Sequence, residues 1–199
     1  TSSLKRAWSI CLCFWNRIMK NILEIFGLNK TVGDIGIEIE TEGENIQYVE
    51  PHADFIWTTT KDGSLRGEYP SQAAEFVMSR PCLHRYAEKH LDALINAQRV
   101  SEFNFSFRTS VHVHLNVQQL TEDQVFNLIY TYYLLEGVMV KYCGEHREAN
   151  RFCLRLQDAD GCYDILRDIF SRGVIGLNGH GQEALRYAGL NLAAIMKYS

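Results

Sequence analysis

Between Asp34 and Glu42 apolar and polar residues alternate with a period of two. That is the period of a strand with one face buried. It puts Ile37 and Ile39 on one face and Glu38 and Glu40 on the other. Phe55–Thr60 is apolar and β-branched, and the turn signal Lys61–Ser64 ("KDGS") follows it. Ala73–Met78 reads as a third strand, with Phe76 and Met78 toward the core and Glu75 and Val77 on the face shared with the two glutamates. Ser110–Val117 ("SVHVHLNV") alternates most strictly. Val111, Val113, Leu115 and Val117 share one face, and Ser110, His112, His114 and Asn116 share the other.

Helical spacing appears between and after these strands. Pro81 opens a helix through about Arg99, with Leu83, Ala87, Leu91, Leu94 and Ile95 on its apolar face. Thr121 is an N-cap and Gln124 completes a capping box, so a helix is expected from there to about Tyr142. Asp158–Ser171 reads as a further helix that stops near Gly173, and Gly173–Gln182 is a glycine-rich connection. The interleaved strands and helices predict an α+β fold. No G-x-G-x-x-G follows a strand, which argues against a Rossmann pattern.

Residues 4–28 are mostly apolar with basic punctuation. Ala7–Trp15 has the look of a signal-peptide core, but Asn16, Arg17, Lys20, Asn21 and Glu24 break it well short of the ~20 residues a membrane span needs. An amphipathic helix packed on the body, on a partner or in an oligomer is the expectation. Met19 reads as a natural start, with residues 1–18 an extension or a processed end. The chain therefore divides into a helical N-terminal extension, 1–30, and one domain, 31–199.

Net charge is −4, but residues 1–23 hold four basic residues and no acid, so the remainder carries −8. That body gives no electrostatic case for nucleic-acid binding. A phosphate ligand would need a cation to approach it. The six cysteines show no C-x-x-C pair and no zinc-ribbon spacing. Buried free thiols in a reducing cytoplasm are expected.

Candidate chemistry gathers at four places: Glu38 and Glu40 on one strand face; Glu75 inside an apolar run after "DGSL" (Asp62–Leu65); His112 and His114 between valines; and a late group, Arg147, Arg151 and Arg186, with Asn191. Each alone is compatible with a solvated strand face, a structural histidine or a salted helix surface. Together, acidic and imidazole positions on separate strands point to a cation cage. Carboxylates favour Mg²⁺ or Mn²⁺, hard ions that bridge nucleotide phosphates, and arginines suit the anion.

The stretches "GIEIE", "DGSL…AEFV…P", "SVHVHLNV", "REANRF" and "RYAGLNLAAI" occur in this order from about Ile35 to Tyr198. In this the chain resembles the amidoligase family of phages and bacteria, carboxylate–amine ligases related to glutamate–cysteine ligase and glutamine synthetase. The resemblance implies a glutamine-synthetase-like core, a curved and mainly antiparallel sheet that cradles ATP and metal with helices outside. It implies metal ligands at Glu38, Glu40, Glu75 and His112, and nucleotide or phosphate contacts at His112, His114 and Asn191. Arg147, Arg151 and Arg186 would be catalytic clamps on phosphate and carboxylate. ATP would convert a carboxylate to an acyl phosphate, and an amine would displace the phosphate to give an amide. The acid and amine partners range from small molecules to peptides or proteins. The family continues into a strand of the form "GxLEFR", whereas this chain stops at "MKYS": either the sequence is truncated or cleaved, or that strand is supplied by something else. Two other readings stand beside the ligase: a metal-dependent hydrolase built on the histidine pair, and a catalytically incomplete relative that acts as a binding or scaffold protein.

Overall fold

The computed structural model describes residues 20–46, 49, 56–61, 63, 65, 72–97, 103–104, 106–144, 147–148, 150, 153–156, 158, 164 and 188–192. Contacts divide the chain into two units, Thr31–Asn116 and a second made of Thr1–Lys30 with Val117–Ser199.

Four described strands form one sheet in the first of these units. They are β1 (Ile35–Glu42), β2 (Trp57–Thr60), β3 (Ala73–Met78) and β4 (Ser110–Leu115), in the spatial order β2-β3-β1-β4. All neighbours are antiparallel. The fold is therefore α+β with a four-stranded antiparallel sheet, as the alternation predicts. One face of the sheet is apolar: Ile37, Ala74, Phe76, Met78 and Trp57 are buried there. Helix α2 (Ala87–Ala97) closes that face with Leu94, Ala87 and Leu91. The Trp57 Nε1–H donates to the His90 carbonyl at 2.9 Å and ties helix to sheet. Phe103 stacks on Phe76, centroids 5.9 Å apart.

The helix does not begin at Pro81. Residues His84–Tyr86 form a 3₁₀ turn, and the α-helix proper, α2, spans Ala87–Ala97. The reason is tertiary. Cys82 pairs with Ile35, its N–H donating to the Ile35 carbonyl at 2.8 Å. Asp34 then accepts from both the His84 backbone N–H and its ring Nδ1, at 3.2 and 2.8 Å. These bonds hold Pro81–Leu83 extended beside β1. Ile95, expected on the apolar face, is 59% exposed, while Ala93 and Leu94 take the buried positions.

Val111, Val113 and Leu115 lie opposite the histidines, as alternation requires, but the core does not cover them. All three are more than half exposed. Among the described residues β4 ends the strand order, and Val111, Val113 and Leu115 do not belong to the cluster that Leu94, Ala87 and Leu91 join.

In the other unit, α1 (Ile22–Phe26) is bounded by Asn21 and Glu24, each side chain bonding the other's backbone N–H, and by Gly27 with φ +64°. Ile22 packs into one core with Val125, Ile129, Leu156 and Leu192. Helix α3 (Glu122–Cys143) starts at the expected capping box, with Thr121 and Gln124 exchanging hydrogen bonds at 3.3 and 2.9 Å. Its Glu136 is buried and accepts the Leu156 N–H on both oxygens. Burial raises that carboxyl above its usual range. The described cysteines are free. Cys82 is buried and Cys153 half-buried, but Cys143 is exposed because it sits in the open last turn of α3. The expected helix Asp158–Ser171 and the connection Gly173–Gln182 lie almost wholly outside the described residues. No helix among the described residues is long and apolar enough to cross a membrane.

Candidate functional site

The sheet's polar face is built in cross-strand rows. In one row Thr60 of β2 pairs with Glu75 of β3, Glu75 with Glu40 of β1, and Glu40 with Ser110 of β4. In the next, Thr58, Val77, Glu38 and His112 stand side by side in the same strand order. In the third, Gly36 pairs with His114. The period of two chooses the face, and the register then brings Glu38, Glu40, Glu75, His112 and His114 together on it.

Hydrogen bonds link the rows. His112 Nδ1 lies 3.3 Å from Glu38 Oε2, and His114 Nε2 lies 3.2 Å from Glu38 Oε1. Gly36 offers no side chain opposite His114, so that ring leans along the strand to Glu38. His112 Nε2 lies 2.9 Å from Ser110 Oγ and 3.9 Å from Glu40 Oε2. Ser110 donates its hydroxyl to Glu40 Oε2, and Thr60 donates to Glu75 Oε2 at 2.6 Å. Glu40 is more sheltered than Glu38, with 11% of its side chain exposed against 26%.

Charge follows the same contacts. The hydrogen bonds from His112 and then His114 hold the Glu38 carboxyl far below the usual carboxylate range. The bond to Glu38 raises His112 above its ordinary value, against partial burial, and the charges of Glu40, Glu38 and Glu75 add to the rise. Glu40 and Glu75 are directly opposed across β1 and β3, an arrangement that is destabilising for like charges.

A pH dependence follows. The depressed Glu38 contributes stability present above its unfolded value of 4.5 and lost as pH falls through its folded value. The raised His112 contributes stability fully present below 6.5 and lost as pH climbs through its folded value above that. The pair therefore stabilises most between 4.5 and 6.5. Urea midpoints of the metal-free protein should fall from about pH 6 to about pH 8.5 by more in wild type than in Glu38→Gln. Equal slopes would show that the pair does not couple to folding.

The donor set, carboxylate oxygens with imidazole, suits a hard divalent cation. Among the described residues, however, no three His, Cys, Asp or Glu side chains converge closely enough to hold a metal as they stand. Each acid is turned to a histidine or a hydroxyl instead.

No known protein family, curated protein or solved structure matches the chain.

The other expected site residues belong to the other unit or lie outside the described residues. Arg147 and Asn191 belong to the other unit, Arg147 half-buried in the turn after α3 and Asn191 exposed. Arg151, Arg186 and the Asp62 and Ser64 positions of "DGSL" lie outside the described residues; Leu65 is buried. Sequence reasoning gave no role to Ser110 or Thr60. Ser110 was legible as a member of the histidine face. Thr60 was not, because its meeting with Glu75 depends on a register that β2 and β3 set only in three dimensions.

Proposed function

We propose that the chain is an ATP- and Mg²⁺-dependent carboxylate–amine ligase of the amidoligase type, with the sheet as a glutamine-synthetase-like cradle. One observation carries the reading: Glu40 and Glu75 stand opposed on a polar sheet face that also holds Glu38, His112 and His114. A like-charged pair at the middle of a sheet costs folding energy and is rewarded by a divalent ion.

On this reading Glu38, Glu40, Glu75 and His112 hold Mg²⁺ or Mn²⁺. When bound, the ion neutralises nucleotide phosphates and so supports phosphoryl transfer to a carboxylate. His112 and His114 would exchange their contacts with Glu38 and Ser110 for phosphate oxygens. Both are about half exposed, so a ligand can reach them. Glu38 fixes the orientation of both rings. Arg147, Arg151, Arg186 and Asn191 are proposed to contact phosphate and carboxylate. The partners are a carboxylic acid and an amine, small or macromolecular, and the proposed location is the cytoplasm.

The test is thermal and chemical together. Mg²⁺ with ATP should raise the melting temperature more than either alone, by linkage, and amine-dependent ADP release should accompany it. No shift at millimolar Mg·ATP and no ADP release would remove the reading.

A second reading has its own observation. Ser110 Oγ, His112 Nε2, His112 Nδ1 and Glu38 stand in the contact order of a nucleophile, base and orienting acid. Against it, the serine proton is directed to Glu40, and the acidic surroundings disfavour a developing oxyanion. Labelling of Ser110 by a fluorophosphonate probe would favour this hydrolytic reading over the ligase.

A further inference from the structure

Strand β4 leaves one edge and one face open. Asn116, just past its end, donates its N–H to the Asp34 carbonyl at 2.8 Å. In an antiparallel ladder bonded pairs alternate with unbonded ones, so the bonded pairs are Gly36 with His114, Glu38 with His112 and Glu40 with Ser110. The N–H and C=O groups of Val111, Val113 and Leu115 therefore point away from β1. Among the described residues no strand lies on that side. The same three residues are 60%, 58% and 55% exposed, although Ile37, the β1 partner of Val113, is only 5% exposed. Proteins ordinarily protect such an edge with lysine, proline, a bulge or an inward-pointing charge. Ser110–Leu115 contains no lysine, arginine, acid or proline, and its register against β1 runs unbroken along the strand.

We propose that β4 accepts the β4 strand of a second copy of this chain, antiparallel about a two-fold axis at Val113, so that two sheets join edge to edge. One added strand bonds the open main-chain groups and covers the exposed aliphatic side chains together. A two-fold contact needs a patch that is complementary to itself, and β4 supplies one. The axis sets Val113 against its own copy and Val111 against Leu115, so all three outward residues are bonded and every pair on the apolar face is aliphatic. Neighbouring registers are blocked. An axis at His112 would set Leu115 against Thr109, whose N–H already donates to the Ser106 carbonyl at 3.2 Å. An axis at His114 would set Val111 against Val117, whose carbonyl already accepts the Leu120 N–H at 2.9 Å. With no lysine, arginine or acid on the strand, self-pairing opposes none of these charges. The strip is small beside the ~800 Å² per partner of a stable interface. Association is therefore reversible and visible only as concentration rises.

The experiment is sedimentation velocity of the full chain from about 1 to about 200 µM, on wild type, Val113→Lys, Val113→Glu and an equimolar mixture of the two variants. Wild type should move from monomer toward dimer across that range. Val113 is exposed in the monomer, so both variants should keep the wild-type circular dichroism spectrum. Each variant alone opposes like charges at the axis and should dimerise at least ~10-fold more weakly. The mixture sets opposite charges across the axis and should restore the dimer. Amide exchange of wild type reads the same contact without a substitution: Val111, Val113 and Leu115 should exchange more slowly at the high concentration than at the low one. A wild type that stays monomeric, with equal exchange at both concentrations, would overturn the proposal. Undiminished dimer in both variants would overturn it too, by placing the contact elsewhere. Folded variants that stay monomeric when mixed would overturn the pairing at Val113.

Discussion

Glu75→Gln is expected to weaken Mg²⁺ or Mn²⁺ binding by ~10- to 100-fold, or about 1.4–2.7 kcal/mol, while the protein stays folded. The substitution keeps the shape of the side chain and an oxygen that can accept the Thr60 hydroxyl. It removes one of two charges that oppose each other across β1 and β3. Relief of that opposition should leave the metal-free variant more stable by up to about 1 kcal/mol. Glu75 alternates with Phe76 and Met78, both buried, so the change falls on the polar face and spares the core. A solvated surface glutamate would show neither effect, since such substitutions are usually worth less than about 0.5 kcal/mol. Calorimetric titration and urea unfolding measure the two quantities. Unchanged affinity would take Glu75 out of the cation site.

Gly33→Ala is expected to be the most destabilising single change on the approach to β1. Its φ is +113°, a conformation that side chains rarely adopt, and a Cβ there would lie 2.7 Å from the Pro81 carbonyl carbon and 2.8 Å from Pro81 Cβ. Strained backbone costs about 1–3 kcal/mol, and overpacking against atoms that cannot withdraw costs about 1–3 kcal/mol more. Pro81 cannot withdraw easily, because Cys82 beside it is bonded to Asp34 and Ile35. Gly27 is the control. Its φ is +64° and a Cβ would meet nothing within 4 Å, so Gly27→Ala should carry only the conformational cost. Chemical unfolding of both variants separates the two causes. A Gly33→Ala variant no less stable than Gly27→Ala would mean that the contact with Pro81 is not tight.

How much of this was legible in the sequence depended on the distance over which each feature is decided. The α3 cap and the faces of β1 and β3 are local, set by Thr121 with Gln124 and by alternation, and they appear where the pattern puts them. The shared face of Glu38 with Glu40, and of His112 with His114, is local in the same sense. The start of α2 is not, because bonds from Cys82 to β1 and from His84 to Asp34 hold Pro81–Leu83 out of the helix. The exposure of Val111 and Val113 is not either, since it depends on tertiary packing that alternation does not specify. Register is the largest omission. Two glutamates 35 positions apart in sequence, Glu40 and Glu75, become direct partners only once β1 and β3 pair. The hydroxyls of Thr60 and Ser110 meet the two acids only through that row.

The proposal that this face binds a divalent ion carrying nucleotide phosphates is tested most directly by anomalous diffraction from crystals soaked with Mn²⁺ and a non-hydrolysable ATP analogue. The account predicts a manganese peak at coordination distance from the Glu40 and Glu75 carboxylates, with phosphate density on the side of His112 and His114. Bound nucleotide elsewhere, with no manganese between Glu40 and Glu75, would contradict it.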